Sequence, residues 1–395
     1  MNSTVKMAGF ALVLLASVLF ATADDEIRNQ ILRIYPQADT DKDGVISDAE
    51  EAAARQQILK RFPQVDRNGD GILSDAETKA VLRQAANRAR QNKPARGTAQ
   101  TAPPKQKPTH ANVKYGEHKR QVFDLWLADS AKPTPLAIYI HGGGFKSGSK
   151  EKLSSANLTR LLQAGISVAA INYRLLGTHP LPTAHHDARR ALQTMRSRAG
   201  EWNIDKDRVA AFGGSAGAQI CMWLAYSDEM AKPDSSDPIE RESTRLSCVA
   251  TAGGQTSNSA EFWRETIGPL LGDGNQVDSL VLPLNGETDR EKIRIAQWGA
   301  KTLEEANKTA ARHAALEIVS ADDPPIFMSY GMSPDAKLPT DPKRVRGWLI
   351  HHVNLGFALR KKTDALRLEA HLKYPGADVK YDSLVEFFVD KLVTE

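Results

Sequence analysis

The sequence predicts an α/β protein: a mostly parallel, doubly wound sheet with a small all-α module in front of it. Three observations carry that prediction. From about residue 113 onward, short apolar runs alternate with helical stretches, the pattern of a parallel sheet covered on both faces. One run, Arg208-Val209-Ala210-Ala211-Phe212, enters the tight turn Gly213-Gly214-Ser215-Ala216-Gly217 and leaves as an apolar helix to Tyr226. Near the N-terminus, two acidic segments at 35–50 and 62–77 repeat each other closely, the mark of a tandem small unit.

With 395 residues the chain holds one large domain and a small one. A hydrophobic share of 41% and a charged share of 25% place it among globular proteins. The net charge of +4 is too small to call for nucleic acid. Cys221 and Cys248 are too few for a disulfide framework. Both fall in apolar stretches and read as buried thiols, with a single bridge as the alternative.

Residues 1–23 read as a secretory signal. Lys6 gives the positive start, Ala8 to Phe20 the apolar core, and Ala21-Thr22-Ala23 the small-x-small cleavage pattern. The core is short for a bilayer, so an uncleaved anchor is the lesser reading. The expected location is periplasmic or secreted, with no stable membrane insertion after signal removal.

The acidic repeats come next, within residues 24–82. Loop positions one, three and five are Asp39, Asp41, Asp43 and Asp66, Asn68, Asp70. Gly44 and Gly71 stand sixth. Val45 and Ile72 stand seventh and would offer backbone carbonyls, and Glu50 and Glu77 close the twelfth position. That is the twelve-residue EF-hand loop, twice, and a hard cation wants such a crowd of oxygens. Ca²⁺ is the expected ion. Pro63 keeps the second entering helix short, so a compact structural clip is expected rather than a widely opening sensor. A protein partner for the pair, as in dockerin-like attachment modules, is the alternative use. Residues 83–112 carry Pro94, Pro103, Pro104 and Pro108, and no acidic residue falls between Glu77 and Glu117. They read as a basic, semi-extended linker.

The large domain should span 113–395. Gln121 to Leu127 alternates as an early strand. Leu136 to Ile140 is a buried strand that runs into His141-Gly142-Gly143-Gly144-Phe145. Ser154 to Gln163 is a helix stopped by Gly165. Ile166 to Ile171 is a strand, Ala184 to Arg198 a helix, and Val249 to Ala252 a strand. Residues 253–321 are expected to cap the site. Ile326 to Tyr330 is a strand, Asn354 to Arg367 a helix, Leu368 to Tyr374 an edge strand and Leu384 to Val393 a closing helix.

The strand-turn-helix around Ser215 is a nucleophile elbow, which lifts a serine hydroxyl over the sheet at a helix N-terminus. Alone, a Gly-x-Ser-x-Gly pattern occurs by chance in roughly one chain in ten of this length. The strand ending in His-Gly-Gly-Gly settles the reading, because that loop supplies oxyanion donors beside an elbow. The expected donors are the N–H groups of Gly142, Gly143 and Ala216.

From about Tyr115 onward the chain resembles the α/β-hydrolases of the esterase/lipase group with an HGGG loop, related to hormone-sensitive lipase and to acetyl-xylan and feruloyl esterase-like domains. The matching residues are Tyr139 to Phe145, Gly148, Lys150, Asn172-Tyr173-Arg174, Asp187, Gly213 to Ala218 and Asp323-Pro324-Pro325. The resemblance implies the α/β-hydrolase fold and carboxylic ester hydrolysis through an acyl-enzyme on Ser215. It implies no metal in the chemistry, and a small ester or acylated polysaccharide as substrate. It also points to Asp335 as the acid of a triad.

The histidine departs from that pattern. The loop from Tyr374 to Asp382 has none, and Val379 stands where the family places it. His371 shares a polar face with Glu369 and Lys373 and should meet water. His351 and His352 are the remaining candidates after the acid, either of which keeps the order Ser, acid, His. Without a base, the chain would instead be a Ca²⁺-binding pseudo-hydrolase serving as a recognition scaffold.

Overall fold

The computed structural model describes residues 28, 31, 38–41, 45–61, 63–66, 69–75, 77–78, 106–271 and 284–394. The signal segment, the linker up to residue 105, Asp43, Gly44, Asn68 and residues 272–283 of the expected cap lie outside the described residues. The chain divides into two units, Met1–Ala102 and Pro103–Glu395.

In the first unit, helix α1 (Asp48–Arg61) starts where the first acidic loop ends. Asp48, Glu50 and Glu51 occupy its first turn, where the helix dipole favours negative charge. It stops ahead of Pro63, which opens a 3₁₀ turn, Pro63–Val65. Ile58 packs on Leu73 of the second loop. Arg55 ties the two repeats further, donating to the Leu73 carbonyl at 2.7 Å and to Asp75 at 2.6 Å.

The second unit is built on eight strands. They are β1 (His110–Lys114), β2 (Val122–Trp126), β3 (Thr134–Ile140), β4 (Ser167–Ile171), β5 (Ile204–Gly214), β6 (Cys248–Ala252), β7 (Ile326–Ser329) and β8 (Ala370–Lys373). Their order across the sheet is β1-β2-β4-β3-β5-β6-β7-β8. β1 and β2 pair antiparallel at one edge, and every pair from β4 to β8 is parallel. β3, β4 and the part of β5 from Val209 onward are largely apolar because helices cover both faces.

Two helices on one face are α2 (Ser155–Gln163) and, at the C-terminus, Leu384–Leu392; they bury Leu158, Phe387 and Phe388 against the sheet. The other face takes α3 (Leu181–Ser197) and α4 (Ala216–Tyr226), with Met195 and Ile220 in its core. Over the expected cap run α5 (Ala260–Thr266), α6 (Arg290–Trp298), α7 (Leu303–Ala311) and α8 (Ala315–Ile318). Asp289 caps α6 and Thr302 caps α7, two residue types that satisfy a helix's free N–H groups.

The boundaries differ from expectation in two places. β1 lies partly in the stretch read as linker, and the domain begins earlier than 113. Trp126 Nε1 donates to the Gln106 carbonyl at 2.7 Å, and Leu127 N to Thr109 Oγ1 at 3.1 Å. β1 is a mostly exposed edge strand, so its sequence carries little hydrophobic pattern. The second difference is α9 (Pro342–Ile350), where no element was expected. Asp341 accepts from Lys343 N at its start, and Pro342 takes the first turn, where no N–H is needed. It is followed by α10 (Asn354–Ala365). The closing helix Leu384–Leu392 is α11.

Cys221 and Cys248 are buried free thiols. Among the described residues no helix is long and apolar enough to cross a membrane.

The winding reverses at β3, whose loop leads toward β4 while the loop of neighbouring β5 leads toward β6. Open α/β sheets hold ligands in the crevice such a reversal leaves at the carboxyl ends. Here the Gly-rich loop after β3 and the turn after β5 both reach that crevice.

Candidate active site

Ser215 forms the turn between β5 and α4 with φ 53° and ψ −120°. A side chain rarely adopts this left-handed region, and strain of this kind costs about 1–3 kcal/mol. The surroundings hold it. Ser215 N donates to the Ala252 carbonyl at 2.9 Å, and Gln219 N to the Ser215 carbonyl at 3.1 Å. Gly217 is required because a Cβ there would run into the Ile140 carbonyl. Strand and helix can thus approach closely enough to push the hydroxyl outward.

His351 ends α9, and its Nε2 lies 3.0 Å from Ser215 Oγ. Its Nδ1 lies 2.9 Å from the Gly347 carbonyl, one turn back in the same helix. A carbonyl only accepts, so Nδ1 carries the proton in that bond. In the neutral ring Nε2 is then an acceptor, aimed at the serine hydroxyl. Burial pushes the His351 pKa below the ordinary 6.5; the Gly347 bond opposes that shift and the nearby Arg346 adds to it. The ring is therefore neutral, as a base must be, at neutral pH.

Two neighbours set this ring in place, and neither was apparent in the sequence. Gly253 has φ +56°, and a Cβ there would stand 3.1 Å from His351 Cδ2. Gln255 donates to the Gly253 carbonyl at 3.1 Å and also to the Ile350 carbonyl, and accepts from Gln219 at 2.8 Å. It ties the loop after β6 to the end of α9.

The other expected residues fall as follows. His352 is fully buried, accepts from Asn354 N at 3.2 Å and packs on Trp348 at 4.6 Å. It serves the first N–H of α10, and Ser215 is not among its hydrogen-bond partners. Asp335 is exposed, with its carboxylate held by Ser333 and lowered in pKa by that bond. The structure does not bring it to His351, where the Gly347 carbonyl occupies the place expected for an acid. His371 is held by Glu369 at 2.9 Å, away from the site.

A cavity of about 700 Å³ opens over Ser215 and His351. Gly143, Gly144 and Ala216 line it. Gly142, expected as a donor, is not among the lining residues; a Cβ on it would meet the Gly214 carbonyl and the Ser215 Cβ. Trp263 of α5 and Trp298 of α6 also line the cavity.

Side chains from several elements surround the Gly-rich loop. Tyr173 donates to the His141 carbonyl at 2.8 Å and stacks on the His141 ring at 4.2 Å. Burial pushes the His141 pKa down to about 4. Arg120 donates to the Gly148 carbonyl at 2.9 Å, and Lys150 pairs with Asp124 at 2.7 Å. Arg174 pairs with buried Asp187 at 2.6 Å.

In the N-terminal unit, carboxylate oxygens of Asp39, Asp41 and Glu50 lie within 4.8 Å of one another. Glu50 accepts from Ser47 N at 3.0 Å and Thr40 N at 2.6 Å, and from both hydroxyls, which holds its pKa at about 2. This set of ionised oxygens fits a hard divalent cation. In the second loop Asp66 accepts from Gly69 N at 2.7 Å and Gly71 N at 2.9 Å. Glu77 accepts from Ser74 Oγ at 2.6 Å, and Val45 and Ile72 are exposed.

Residues 123–342 match the BD-FAE family. Probable carboxylesterase 2 of Arabidopsis thaliana is 37% identical over 111 residues, covering 27% of this chain and 35% of that protein. Probable carboxylic ester hydrolase LipM of Mycobacterium tuberculosis is 26% identical over 240 residues, covering 59% and 49%. The chain thus spans about a third to a half of the length of these two curated relatives. Among solved structures, a truncated carbohydrate esterase from gut microbiota is similar with a TM-score of 0.52 and 18% identity, covering 73% of this chain and 100% of the other. That likeness shows the α/β-hydrolase fold.

Proposed function

The chain belongs to the BD-FAE family, and on that premise we propose that it hydrolyses carboxylic esters through an acyl-enzyme on Ser215. The observation that carries this reading is the 3.0 Å contact between Ser215 Oγ and His351 Nε2 at the floor of the cavity. His351 takes the hydroxyl proton as Oγ attacks the ester carbonyl. The carbonyl oxygen becomes an oxyanion facing the N–H groups of Gly143, Gly144 and Ala216, and each such donor is worth on the order of 100-fold in rate. His351 then returns the proton to the leaving alkoxide. Water, deprotonated by the same nitrogen, attacks the acyl-enzyme and releases the acid and Ser215.

The Gly347 carbonyl fixes the tautomer that this cycle needs but cannot neutralise an imidazolium as a carboxylate would. Support for the substrate class comes from the relatives' names and from the apolar cavity: a small ester or an acylated saccharide.

The acidic loops are proposed to hold Ca²⁺, with Asp39, Asp41 and Glu50 as the best supported ligands. The ion would act as a structural clip and take no part in the chemistry. Export to the periplasm or beyond is proposed from the sequence of residues 1–23 alone.

The test is hydrolysis of p-nitrophenyl acetate and its longer homologues by the full chain beside Ser215→Ala. Turnover that disappears in the variant supports the reading. Turnover no greater than that of Ser215→Ala across the series overturns it in favour of a scaffold without activity.

A further inference from the structure

The cavity over Ser215 is charged as well as apolar. Among its described lining residues three are cationic, Lys146, Arg294 and Arg346, and none is Asp or Glu. Arg294 carries the argument. It stands on α6, partly buried, and faces the same space as Trp298 and Ser215. Its Nη2 donates to the Asn258 carbonyl at 3.1 Å and its Nε to Asn307 Oδ1. Both acceptors are neutral. Among the described residues no carboxylate pairs with it, and burial alone accounts for its lowered pKa.

Placing a guanidinium in a partly dry wall without a counter-charge is costly. The cost is met when a ligand brings the opposite charge into the same space. Arg346, on α9, lies close enough to His351 for its charge to act on that ring. The rest of the wall offers the Trp263 and Trp298 rings and the neutral amides Gln219, Gln255 and Gln297. Such a surface suits a single negative charge on an otherwise apolar or sugar-like body better than a strongly hydrated dianion.

We propose that the ester taken by this site carries a carboxylate, gripped by Arg294. The proposal rests on the ester-hydrolase reading and names its substrate class. The carboxylate can belong to the acyl group, as in a half-ester of a dicarboxylic acid, or to the alcohol, as in an acetylated uronic acid.

Two matched pairs test it with the full chain. One compares p-nitrophenyl hemiglutarate with p-nitrophenyl valerate. The other compares acetate release from an acetylated methyl glucuronide and the matching methyl glucoside. The expected result is a kcat/KM ratio favouring the anionic member by about tenfold or more in one pair, the scale of one hydrogen bond to a charged group. The pair that shows it identifies the source. Arg294→Gln should lower that ratio by about the same factor, Arg294→Lys should retain part of it, and added salt should reduce it. Arg294→Lys and the salt dependence of the wild-type ratio give a second reading if Arg294→Gln fails to fold. Ratios at or below one in both pairs, with the neutral esters turned over, overturn this proposal and leave ester hydrolysis standing. No turnover of any of the four overturns both.

Discussion

His351 Nε2 stands 3.0 Å from Ser215 Oγ, although the two residues are 136 positions apart and lie on α9 and the β5–α4 turn. The partner of the other ring nitrogen is the Gly347 carbonyl, 2.9 Å away in the histidine's own helix. The base is thus aimed by the end of a helix, and its tautomer is set by a backbone oxygen.

The neighbouring histidines separate cleanly under mutation. His351→Ala should lower kcat by at least about 1000-fold, as loss of a base that acts together with its nucleophile does. His352→Ala removes the acceptor of the Asn354 N–H and a buried packing partner, a loss of about 1–3 kcal/mol, and should lower Tm while kcat stays within about threefold. Kinetics and thermal melts of the two variants check this; the reverse pattern would move the base to His352.

In a serine triad, replacing the aspartate by asparagine costs about 10⁴-fold because the imidazole takes the wrong tautomer. Here the Gly347 carbonyl does that work and Asp335 is exposed, held by Ser333. Asp335→Asn should leave kcat/KM within about threefold of wild type. A loss of 100-fold or more would place Asp335 against His351 during turnover.

The pH profile follows from the same ring. The reaction needs neutral His351, whose pKa lies below 6.5. Activity should therefore persist at pH 6.5 and fall only as acid protonates the ring at lower pH. Burial is the main cause of the shift, and Arg346 contributes. A nearby cation disfavours imidazolium, so Arg346→Gln should move the acid limb of kcat/KM to higher pH. An unmoved limb would mean that Arg346 does not act on the catalytic ring.

Gly253 offers a test of position rather than charge. Alanine there would have to adopt φ +56° and place its Cβ 3.1 Å from His351 Cδ2. The ring must give by a few tenths of an ångström, a fraction of the roughly 1 Å misplacement that costs on the order of 100-fold in rate. Gly253→Ala should lower kcat by up to about tenfold, with KM changed far less. Equal effects on both would point to a collapsed cavity instead.

Much of this site was legible because its demands are local. The elbow and the Gly-rich loop need glycines at set positions, and Gly213, Gly217, Gly143 and Gly144 mark them in the chain. The strands β3 to β7 announce themselves by continuous apolar runs. What was missed depends on the fold. α9 was signalled only by Asp341-Pro342 ahead of Val345, Trp348 and Leu349, a short pattern inside a stretch assigned to a loop. The partner of His351 Nδ1 was not legible because it is a carbonyl, a group every residue possesses. Arg294 is one cation among many on an amphipathic helix until the cap brings it over Ser215.

The acidic repeats make a separate prediction about metal. Asp39, Asp41 and Glu50 already gather their oxygens within 4.8 Å, and Glu50 is ionised down to about pH 2. Three negative groups so close repel one another, and a divalent cation relieves that repulsion. Among the described residues the second loop shows no such gathering of three carboxylates. The first loop should therefore bind Ca²⁺ more tightly, with a Kd on the order of 0.1–1 mM if it behaves as extracellular modules do. Calorimetric titration of the full chain checks the affinity, and Glu50→Gln should weaken it more than Glu77→Gln. Removing Ca²⁺ with a chelator should lower the melting temperature of this unit and leave p-nitrophenyl acetate hydrolysis intact, since the proposed chemistry uses Ser215, His351 and backbone N–H groups alone. Hydrolysis that stops with chelation and returns with Ca²⁺ would instead make the ion a regulator of the site.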